Sequence, residues 1–364
     1  MNRLVALDLP GGPLFVDELQ RVWADGDAAF PVDRRLPPAA RAMLLAAMAP
    51  GAAIGTDGAE TALDGGRPVE PGDALVVATS GSTGQPKGAV LTHDAVAASA
   101  RATNAHLGVT AHDHWLACLP LAHIGGLSVV TRALHAGTRL TVHPGFDAPA
   151  VEASGATLVS LVTTALARVD AARFRTVVLG GSSAPAGLPP NVVTTYGMTE
   201  TGSGVVYDGA PLDGVDVRID DTGQILLRGP MLLRAYRDGT DPRVDGWFPT
   251  GDLGTWLPDG RLHVEGRAGD LIVTGGEKVW PGPVEEALRR HPAVDDVVVA
   301  GRPDDEWGEV VTAFVVPVAG QVPTLPDLRA VAKEALAPYC APRALVLLAD
   351  IPRTALGKPR RDAL

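Results

Sequence analysis

Residues 79–88 (TSGSTGQPKG) have the composition of a segment that binds a polyphosphate. The segment contains four hydroxyl side chains, three glycines and one lysine, and it follows an apolar run at residues 74–78 that predicts a buried strand. Glycine lets a backbone approach phosphate oxygens closely, hydroxyl and N–H groups donate hydrogen bonds, and lysine supplies a positive charge. The sequence therefore predicts a phosphate-binding loop after this strand.

Two other phosphate-binding patterns do not fit this segment. The P-loop of nucleotide triphosphatases requires a serine or threonine directly after its Gly-Lys pair, whereas Pro86 precedes Lys87 and Gly88 follows it. The dinucleotide pattern G-x-G-x-x-G is absent after the strand. A flexible Gly/Ser linker is the plain alternative, but a linker would need neither the preceding strand nor the Pro-Lys pair.

Six further motifs follow along the chain. They are residues 119–127 (LPLAHIGGL), 180–185 (GGSSAP), 196–200 (YGMTE), 250–252 (TGD), 266–267 with 275–278 (GR and GGEK), and 352–358 (PRTALGK). In type and order they resemble the motifs of the adenylate-forming superfamily, which comprises acyl-CoA synthetases, peptide-synthetase adenylation domains and firefly-type luciferases. The resemblance covers residues 74–361.

The resemblance implies a reaction in two steps. A carboxylate attacks the α-phosphorus of ATP, pyrophosphate leaves, and the acyl group of the adenylate then passes to a thiol. Such an enzyme must hold two anions together, neutralise growing negative charge and release a leaving group. The implied ligands are ATP, Mg²⁺, coenzyme A as a co-substrate and a small carboxylic acid.

The resemblance also assigns the nucleotide contacts. The residues expected to bind the β- and γ-phosphates are Thr79, Ser80, Gly81, Ser82, Thr83, Gly84 and Lys87. Those expected around the adenine are Gly180, Gly181, Ser182, Tyr196 and Gly197. Asp252 would accept both ribose hydroxyls, and Arg267 would lie near the ribose and the α-phosphate. Without the resemblance, Asp252 reads as a turn residue and Arg267 as a partner in an interdomain ion pair.

Four residues are expected to take part in the chemistry. The Thr199 hydroxyl can donate to the α-phosphate, although a helix-capping role is the alternative. Glu200 offers the hard oxygen that Mg²⁺ prefers. By resemblance, Lys358 bridges the substrate carboxylate and the α-phosphate, although its basic surroundings (KPRR) near the C-terminus are typical of a solvated tail. His123 would gate the acyl pocket; otherwise it is an ordinary core or helix-start residue.

The C-terminal motifs bear on the second step. By resemblance, the C-terminal domain rotates after adenylation, and Gly275 and Gly276 lie on a glycine-rich strand that leaves room for the pantetheine arm of coenzyme A. The chain departs from the family at Gly269, where Asp or Lys usually forms the hinge; glycine can absorb a large backbone rotation. The residues expected on the acid side are His123, Thr163, Thr164 and Ser183.

Length and composition fit a two-domain globular protein. The chain has 364 residues, of which 46% are hydrophobic and 20% charged. Its net charge of −11 disfavours nucleic-acid binding. The two cysteines, Cys118 and Cys340, lack metal-site spacing and suit a reducing compartment. We therefore expect a cytoplasmic protein with no membrane span, and a homodimer is a possible assembly.

The element pattern predicts an α/β fold with α/β layers and a small β subdomain, followed by a smaller α+β domain. The large domain, residues 1–266, would bind ATP and the acid, and residues 267–364 would form the mobile domain with the lysine. The predicted strands are 74–78, 115–119, 139–142, 157–161, 176–179, 192–195, 215–219, 224–227, 261–264, 294–300, 310–316 and 344–348. The predicted helices include 94–106, 148–153, 283–290 and 325–336.

Three functions remain open at this point. The segment before the phosphate motif is about 75 residues long, shorter than is typical of the family. In this the chain resembles compact bacterial o-succinylbenzoate–CoA ligases of menaquinone biosynthesis, and the first function is therefore that of such a ligase. The first alternative to it is an adenylating enzyme that loads another aryl or fatty acid onto coenzyme A or onto a carrier-protein thiol. The second is a non-catalytic nucleotide-binding protein.

Overall fold

The computed structural model describes residues 2–80, 86–181, 184–185, 187–353 and 359–364. The chain divides into two compact units. The larger comprises Met1–Arg218, Leu226–Pro249 and Trp256–His263, and the smaller comprises Ile219–Ile225, Thr250–Thr255 and Val264–Leu364. Helices and mixed sheets occur in the fold, which confirms the predicted α/β class.

The helices, in chain order, are α1 Pro13–Ala24, α2 Pro38–Met48, α3 His93–His106, α4 Ile124–Ala136, α5 Ala148–Ala153, α6 Thr163–Leu166, α7 Pro281–Leu288 and α8 Leu325–Ala335. Local sequence explains several of their ends. Thr92 caps α3, because its hydroxyl accepts a hydrogen bond from the Ala95 N–H at 3.1 Å. Helix α7 begins at Pro281, two residues before the predicted start, since proline is favourable in the first turn. None of the helices in the described ranges is long and apolar enough to cross a membrane.

The strands, in chain order, are β1 Leu4–Leu7, β2 Ala28–Pro31, β3 Ala52–Ile54, β4 Glu60–Ala62, β5 Asp73–Ser80, β6 Pro86–Thr92, β7 His114–Ala117, β8 Arg139–Val142, β9 Leu158–Val162, β10 Thr176–Gly180, β11 Val192–Met198, β12 Ser203–Tyr207, β13 Ala210–Pro211, β14 Asp216–Ile219, β15 Gln224–Arg228, β16 Ala235–Tyr236, β17 Phe248–Trp256, β18 Leu262–Arg267, β19 Ile272–Thr274, β20 Glu277–Val279, β21 Val294–Asp304, β22 Gly308–Pro317 and β23 Ala344–Leu347. Each predicted strand overlaps one of these.

The first sheet carries the phosphate segment. Its strand order is β16-β6-β5-β2-β1-β3-β4, and β5 and β6 form an antiparallel pair. Strands β1 to β4 were not predicted, because short alanine-rich runs such as β2 and β3 have weak strand preference and are defined by burial between neighbours.

The second sheet has the strand order β13-β12-β11-β10-β9-β7-β8. Strands β8, β7, β9, β10 and the first half of β11 run parallel, so their carboxyl ends lie at one edge. The core against this sheet includes the fully buried side chains of Leu116, Val159 and Val177. Ligands of such sheets commonly bind at the carboxyl edge, which is where the predicted motifs fall.

Two further sheets complete the fold. One has the order β14-β15-β17-β18, in the region where short strands were predicted. The other has the order β20-β19-β22-β21, with β23 parallel to β22. The long antiparallel pair of β21 and β22, with α7 and α8, surrounds a core that includes Val297, Val311 and Leu328, which are fully buried. This small α+β core matches the predicted composition of the C-terminal part.

Candidate active site

The carboxyl edge of the second sheet gathers most of the predicted site residues that the structure describes. Helix α6 begins directly after β9, Gly180 ends β10, and the 196–200 motif ends β11. The segment that leads from β7 to α4 reaches the same edge. The predicted residues at this edge are His123, Thr163, Thr164, Gly180, Gly181, Tyr196, Gly197, Thr199 and Glu200.

The two ends of the predicted phosphate loop belong to paired strands, which corrects the bounds of the predicted strand; residues 81–85 lie outside the described ranges. Thr79 and Ser80 belong to β5, and β6 resumes at Pro86, so Thr79 pairs with Lys87. Gly88 must be small, because a Cβ there would lie 2.5 Å from the Met48 sulfur. Strand pairing thus gives Lys87 a fixed position at one end of the hairpin.

The 196–200 motif also differs from its predicted form. Strand β11 continues to Met198 instead of ending at residue 195, and it pairs antiparallel with β12. A Cβ at Gly197 would lie 2.2 Å from the Ser203 carbonyl oxygen, so only glycine allows this close approach. Thr199 does not act as the cap of the following 3₁₀ turn; Thr201 accepts a hydrogen bond from the Met198 N–H at 2.9 Å.

Glu200 is held by a tyrosine that the sequence analysis did not select. The Tyr236 hydroxyl donates to Glu200 Oε1 at 3.0 Å, and the Tyr236 ring lies 5.0 Å from the Lys87 ammonium. Glu200 is partly buried at the end of β11. A carboxylate with one oxygen anchored and the other oxygen available fits a Mg²⁺ ion that takes its other ligands from phosphate and water. In the described ranges, no cluster of three or more His, Cys, Asp or Glu forms an all-protein metal site.

His123 lies in a polar contact with the N-terminal part of the chain. Its Nε2 is 3.1 Å from Asp33 Oδ2 and 2.7 Å from an Arg35 guanidinium nitrogen. A neutral ring nitrogen either donates to Asp33 or accepts from Arg35, so each tautomer makes one of these hydrogen bonds. Burial lowers the pKa of His123, which favours the neutral imidazole. Burial acts against ionisation of Asp33, but the hydrogen bonds from Arg35 outweigh it and lower the Asp33 pKa.

A buried arginine beside the motif is the main residue that the sequence analysis missed. Arg132, on α4, is 3% exposed and donates to the hydroxyls of Ser160, Ser203 and Tyr207. Its Nε atom is buried and has no hydrogen-bond partner among the described residues. No carboxylate of the described ranges forms an ion pair with it, which is unusual for a buried guanidinium. The available signal was a single charged residue in the otherwise uncharged helix segment at residues 127–134.

Asp252 and Arg267 are close together in the smaller unit. Arg267 Nε lies 3.0 Å from Asp252 Oδ1, and an Arg267 guanidinium nitrogen donates to the Thr250 carbonyl at 2.8 Å. Asp252 is buried, and the Thr250 hydroxyl accepts a hydrogen bond from its N–H. The pair thus offers an acceptor and a donor in one place, as the predicted ribose contacts require.

Gly275 and Gly276 form a tight turn and are not part of a strand, which corrects the prediction. Thr274 pairs with Glu277, so the two glycines are the central residues of a hairpin, with φ of 58° and 84°. Positive φ at both positions is the requirement of the two-residue hairpin turn. A Cβ at Gly275 would also lie 2.7 Å from the Trp307 ring. Packing and turn geometry therefore explain Gly275 without a ligand.

Several predicted residues lie outside the described ranges. They are Gly81, Ser82, Thr83, Gly84, Ser182, Ser183 and Lys358. The described ranges end at residue 353 before this lysine and resume at residue 359. The Arg360 N–H donates to the Pro352 carbonyl at 2.8 Å, and Arg361 contacts Asp270 at 3.2 Å.

Comparison with known proteins supports the same interpretation. The family model for "AMP-binding enzyme" matches residues 52–237, and that for "AMP-binding enzyme C-terminal domain" matches residues 283–358. A probable 2-succinylbenzoate–CoA ligase of Mycobacterium tuberculosis is 42% identical, over 83% of this chain and 86% of the relative. A 2-succinylbenzoate–CoA ligase of Bacillus cytotoxicus is 36% identical, over 79% of this chain and 69% of the relative.

Solved structures give a matching result. The o-succinylbenzoate CoA synthetase of Bacillus subtilis, in complex with the acyl-adenylate intermediate, superposes with a TM-score of 0.88 at 29% identity and covers 99% of this chain and 87% of that chain. The same enzyme with ATP and magnesium gives 0.86 at 28% identity, over 99% and 88% of the two chains.

The chain therefore belongs to the AMP-binding enzyme family, the adenylate-forming enzymes. Its similarity to compact bacterial 2-succinylbenzoate–CoA ligases confirms the predicted resemblance and the predicted AMP-forming acid–thiol ligase class. The predicted plan of a large N-terminal domain and a small C-terminal domain is likewise confirmed.

Proposed function

We propose that this protein is a 2-succinylbenzoate–CoA ligase of menaquinone biosynthesis. One carboxylate oxygen of the acid attacks the α-phosphorus of ATP, the bond to pyrophosphate breaks, and an acyl-adenylate forms. The thiol sulfur of coenzyme A then attacks the acyl carbon, its proton is released, and AMP leaves. The observation that carries the choice of acid is Arg132, a buried cation without a carboxylate partner among the described residues.

The phosphates of ATP are proposed to bind at the hairpin of β5 and β6. Lys87 supplies a positive charge there, and Glu200 supplies a carboxylate oxygen for Mg²⁺. A lysine charge about 4 Å from a phosphate oxygen contributes up to ~4 kcal/mol at an effective dielectric near 20. Bound Mg²⁺ would shield the phosphate charge that opposes attack by an anionic acid. The adenine is proposed to bind beside Gly180, Gly181 and Tyr196 of the larger unit.

The acid is proposed to bind at the carboxyl edge near α4. 2-Succinylbenzoate has two carboxylates, so one remains charged while the other reacts. Two hydroxyl partners of Arg132 support this location, because Ser160 belongs to β9 and Ser203 pairs with Met198 of the catalytic motif. A buried guanidinium is stabilised strongly by a carboxylate that shares its pocket. A monocarboxylic fatty acid would leave Arg132 without this partner.

Two other functions would use the same first step or none. Transfer to a carrier-protein thiol would leave the adenylation site unchanged and replace coenzyme A as the acceptor. A non-catalytic nucleotide-binding protein would not need Lys87, Glu200 and Lys358 together.

We also propose that the enzyme works in the cytoplasm, where ATP and coenzyme A are found, and that it does not bind nucleic acid, given its net charge of −11. A homodimer stays a prediction.

The substrate is tested with a panel of carboxylic acids and purified enzyme. Pyrophosphate release is measured with and without coenzyme A for 2-succinylbenzoate, benzoate, a medium-chain fatty acid and malonate. We expect 2-succinylbenzoate to give the highest kcat/KM by at least about 100-fold, since a lost charged hydrogen-bond set contributes about 3 kcal/mol. Release of AMP should depend on coenzyme A. Equal turnover of the fatty acid would contradict the assignment of the acid.

Arg132→Gln is expected to weaken recognition of the carboxylate that does not react. The variant should raise the KM for 2-succinylbenzoate by about 10- to 100-fold and change the KM for ATP by less than about threefold, because only the acid loses a charged partner. The wild type and the variant are also assayed with two analogues of 2-succinylbenzoate, each of which lacks one of the two carboxyl groups. The wild type should discriminate against the analogue without the unreactive carboxylate, and Arg132→Gln should lose this discrimination.

A control for this experiment is Arg101→Gln, which removes an exposed arginine from the neighbouring helix α3. It should leave the KM values unchanged. If Arg132→Gln kept the full preference of the wild type for the dicarboxylate while remaining folded, the assignment of the acid site would be wrong.

Lys358 is proposed to bridge the substrate carboxylate and the α-phosphate during adenylation. Among the described residues nearest to it, the Arg360 N–H donates to the Pro352 carbonyl, and Arg361 forms an ion pair with Glu285. Lys358→Ala should lower the rate of ATP–pyrophosphate exchange by at least about 100-fold, because a charge acting in the transition state is removed. Thioester formation from chemically prepared adenylate should stay within about threefold of the wild-type rate. Equal loss of both half-reactions would rule out this role.

A further inference from the structure

We propose that Tyr236 is a positioning residue for the magnesium–ATP site. Its ring contacts Lys87 and its hydroxyl contacts Glu200, so one side chain touches both residues. The inference rests on the proposed function, in which Lys87 binds phosphate and Glu200 binds Mg²⁺. Tyr236 itself would contact neither ATP nor the metal.

The backbone around Tyr236 fastens two parts of the site to each other. We call residues 233–237 the linking segment. On one side it pairs with the strand of Lys87, because Arg234 N donates to the Val90 carbonyl at 2.9 Å and Arg237 N donates to the Gly88 carbonyl at 2.7 Å. On the other side, Leu233 N donates to the carbonyl of Glu200 itself at 2.7 Å.

The register of the linking segment brings the Tyr236 ring to Lys87. Tyr236 lies opposite Ala89 in the antiparallel pair of β16 and β6. Lys87 is two residues away from Ala89 and therefore on the same face, at the diagonal position that a large ring can reach. The Lys87 ammonium lies 5.0 Å from the ring centroid, a distance typical of a cation–π contact. Strand pairing thus brings the Tyr236 ring within reach of the Lys87 ammonium.

The Tyr236 hydroxyl fixes the orientation of the Glu200 carboxylate. It donates to Oε1 at 3.0 Å, which leaves Oε2 for a metal ion. Hydrogen bonds from the protein to a metal-binding carboxylate restrict its rotation and commonly strengthen metal binding. The aromatic ring also gives Lys87 a favourable cation–π contact, so the ammonium has a partner other than a carboxylate. Lys87 and Glu200 therefore have an alternative to pairing with each other, and such a pair would occupy both groups that ATP and Mg²⁺ require.

Two substitutions separate the roles of the hydroxyl and the ring. Tyr236→Phe keeps the ring and removes the hydroxyl, so the Mg²⁺ concentration at half-maximal stimulation of ATP binding should rise about 10-fold, while ATP affinity without Mg²⁺ should change by less than about twofold. Tyr236→Leu removes both contacts, and ATP affinity without Mg²⁺ should also fall, by about two- to fivefold. Both quantities are measured by titration calorimetry with ATP, with and without MgCl₂.

A double-mutant cycle tests whether the hydroxyl acts through Glu200. Glu200→Gln should weaken the effect of Mg²⁺, and adding Tyr236→Phe to it should produce little further change, because the two groups form one unit. Tyr339→Phe is the matched control: Tyr339 is 41% exposed in the smaller unit, and its loss of a hydroxyl should alter neither titration. Circular dichroism verifies that each variant is folded.

The result that would overturn the proposal is a folded Tyr236→Phe enzyme with the Mg²⁺ dependence of the wild type. Additive effects of Tyr236→Phe and Glu200→Gln would also overturn it, because Tyr236 would then act by another route. These titrations contain no carboxylic acid. Their outcome is therefore independent of whether 2-succinylbenzoate is the substrate, and failure of that assignment would be seen in the acid panel alone.

Discussion

The attachment of the phosphate hairpin to the carboxyl edge of the parallel sheet is the constraint on which the candidate site depends. The hairpin belongs to one sheet and the 196–200 motif to another. Residues 233–237 connect them by hydrogen bonds to Gly88, Val90 and Glu200. Arg234 strengthens this attachment through a bidentate contact at 2.9 Å with Asp73, which is 1% exposed. Without the hydrogen bonds of residues 233–237, the positions of Lys87 and Glu200 would not be fixed relative to each other.

Two cations in the larger unit, Lys87 and Arg132, contrast with the negative net charge of the whole chain. The net charge of −11 would repel an anionic acid and ATP at long range, but screening reduces this effect beyond about 10 Å. At short range, the proposed function assigns Lys87 to the phosphates and Arg132 to the acid. Arg132 is kept in place by three hydroxyls and by the Trp115 ring, whose centroid is 5.6 Å away. These partners are uncharged, so they do not neutralise its positive charge.

The sequence predicted those motifs and elements that are determined by residues near one another in the chain. The phosphate segment, the 196–200 motif and the helix at 148–153 could be identified because each is defined by residue types that are close together in the sequence. The sequence did not show that Lys87 lies in a strand paired with Thr79, because the proline and glycine on either side of it are typical of a loop. The contact of Lys87 with Tyr236 could not be predicted either, since Tyr236 lies far along the chain and reaches Lys87 only through the pairing of β16 with β6. Arg132 and Asp33 were missed for the same reason: their significance comes from burial and from contacts with Ser203 and His123. The two glycines at 275–276 were correctly singled out but assigned to a strand, because hairpin turns and glycine-rich strands have similar composition.

The central claim is that the hairpin and the sheet edge share one magnesium–ATP complex. A crystal structure of the protein soaked with ATP and Mn²⁺, with the metal located by its anomalous signal, tests this claim most directly. We expect the metal to be coordinated by Glu200, within about 2.3 Å of its carboxylate, with the Lys87 ammonium beside the terminal phosphates. A triphosphate bound away from the hairpin, or a metal without Glu200 as a ligand, would contradict the account.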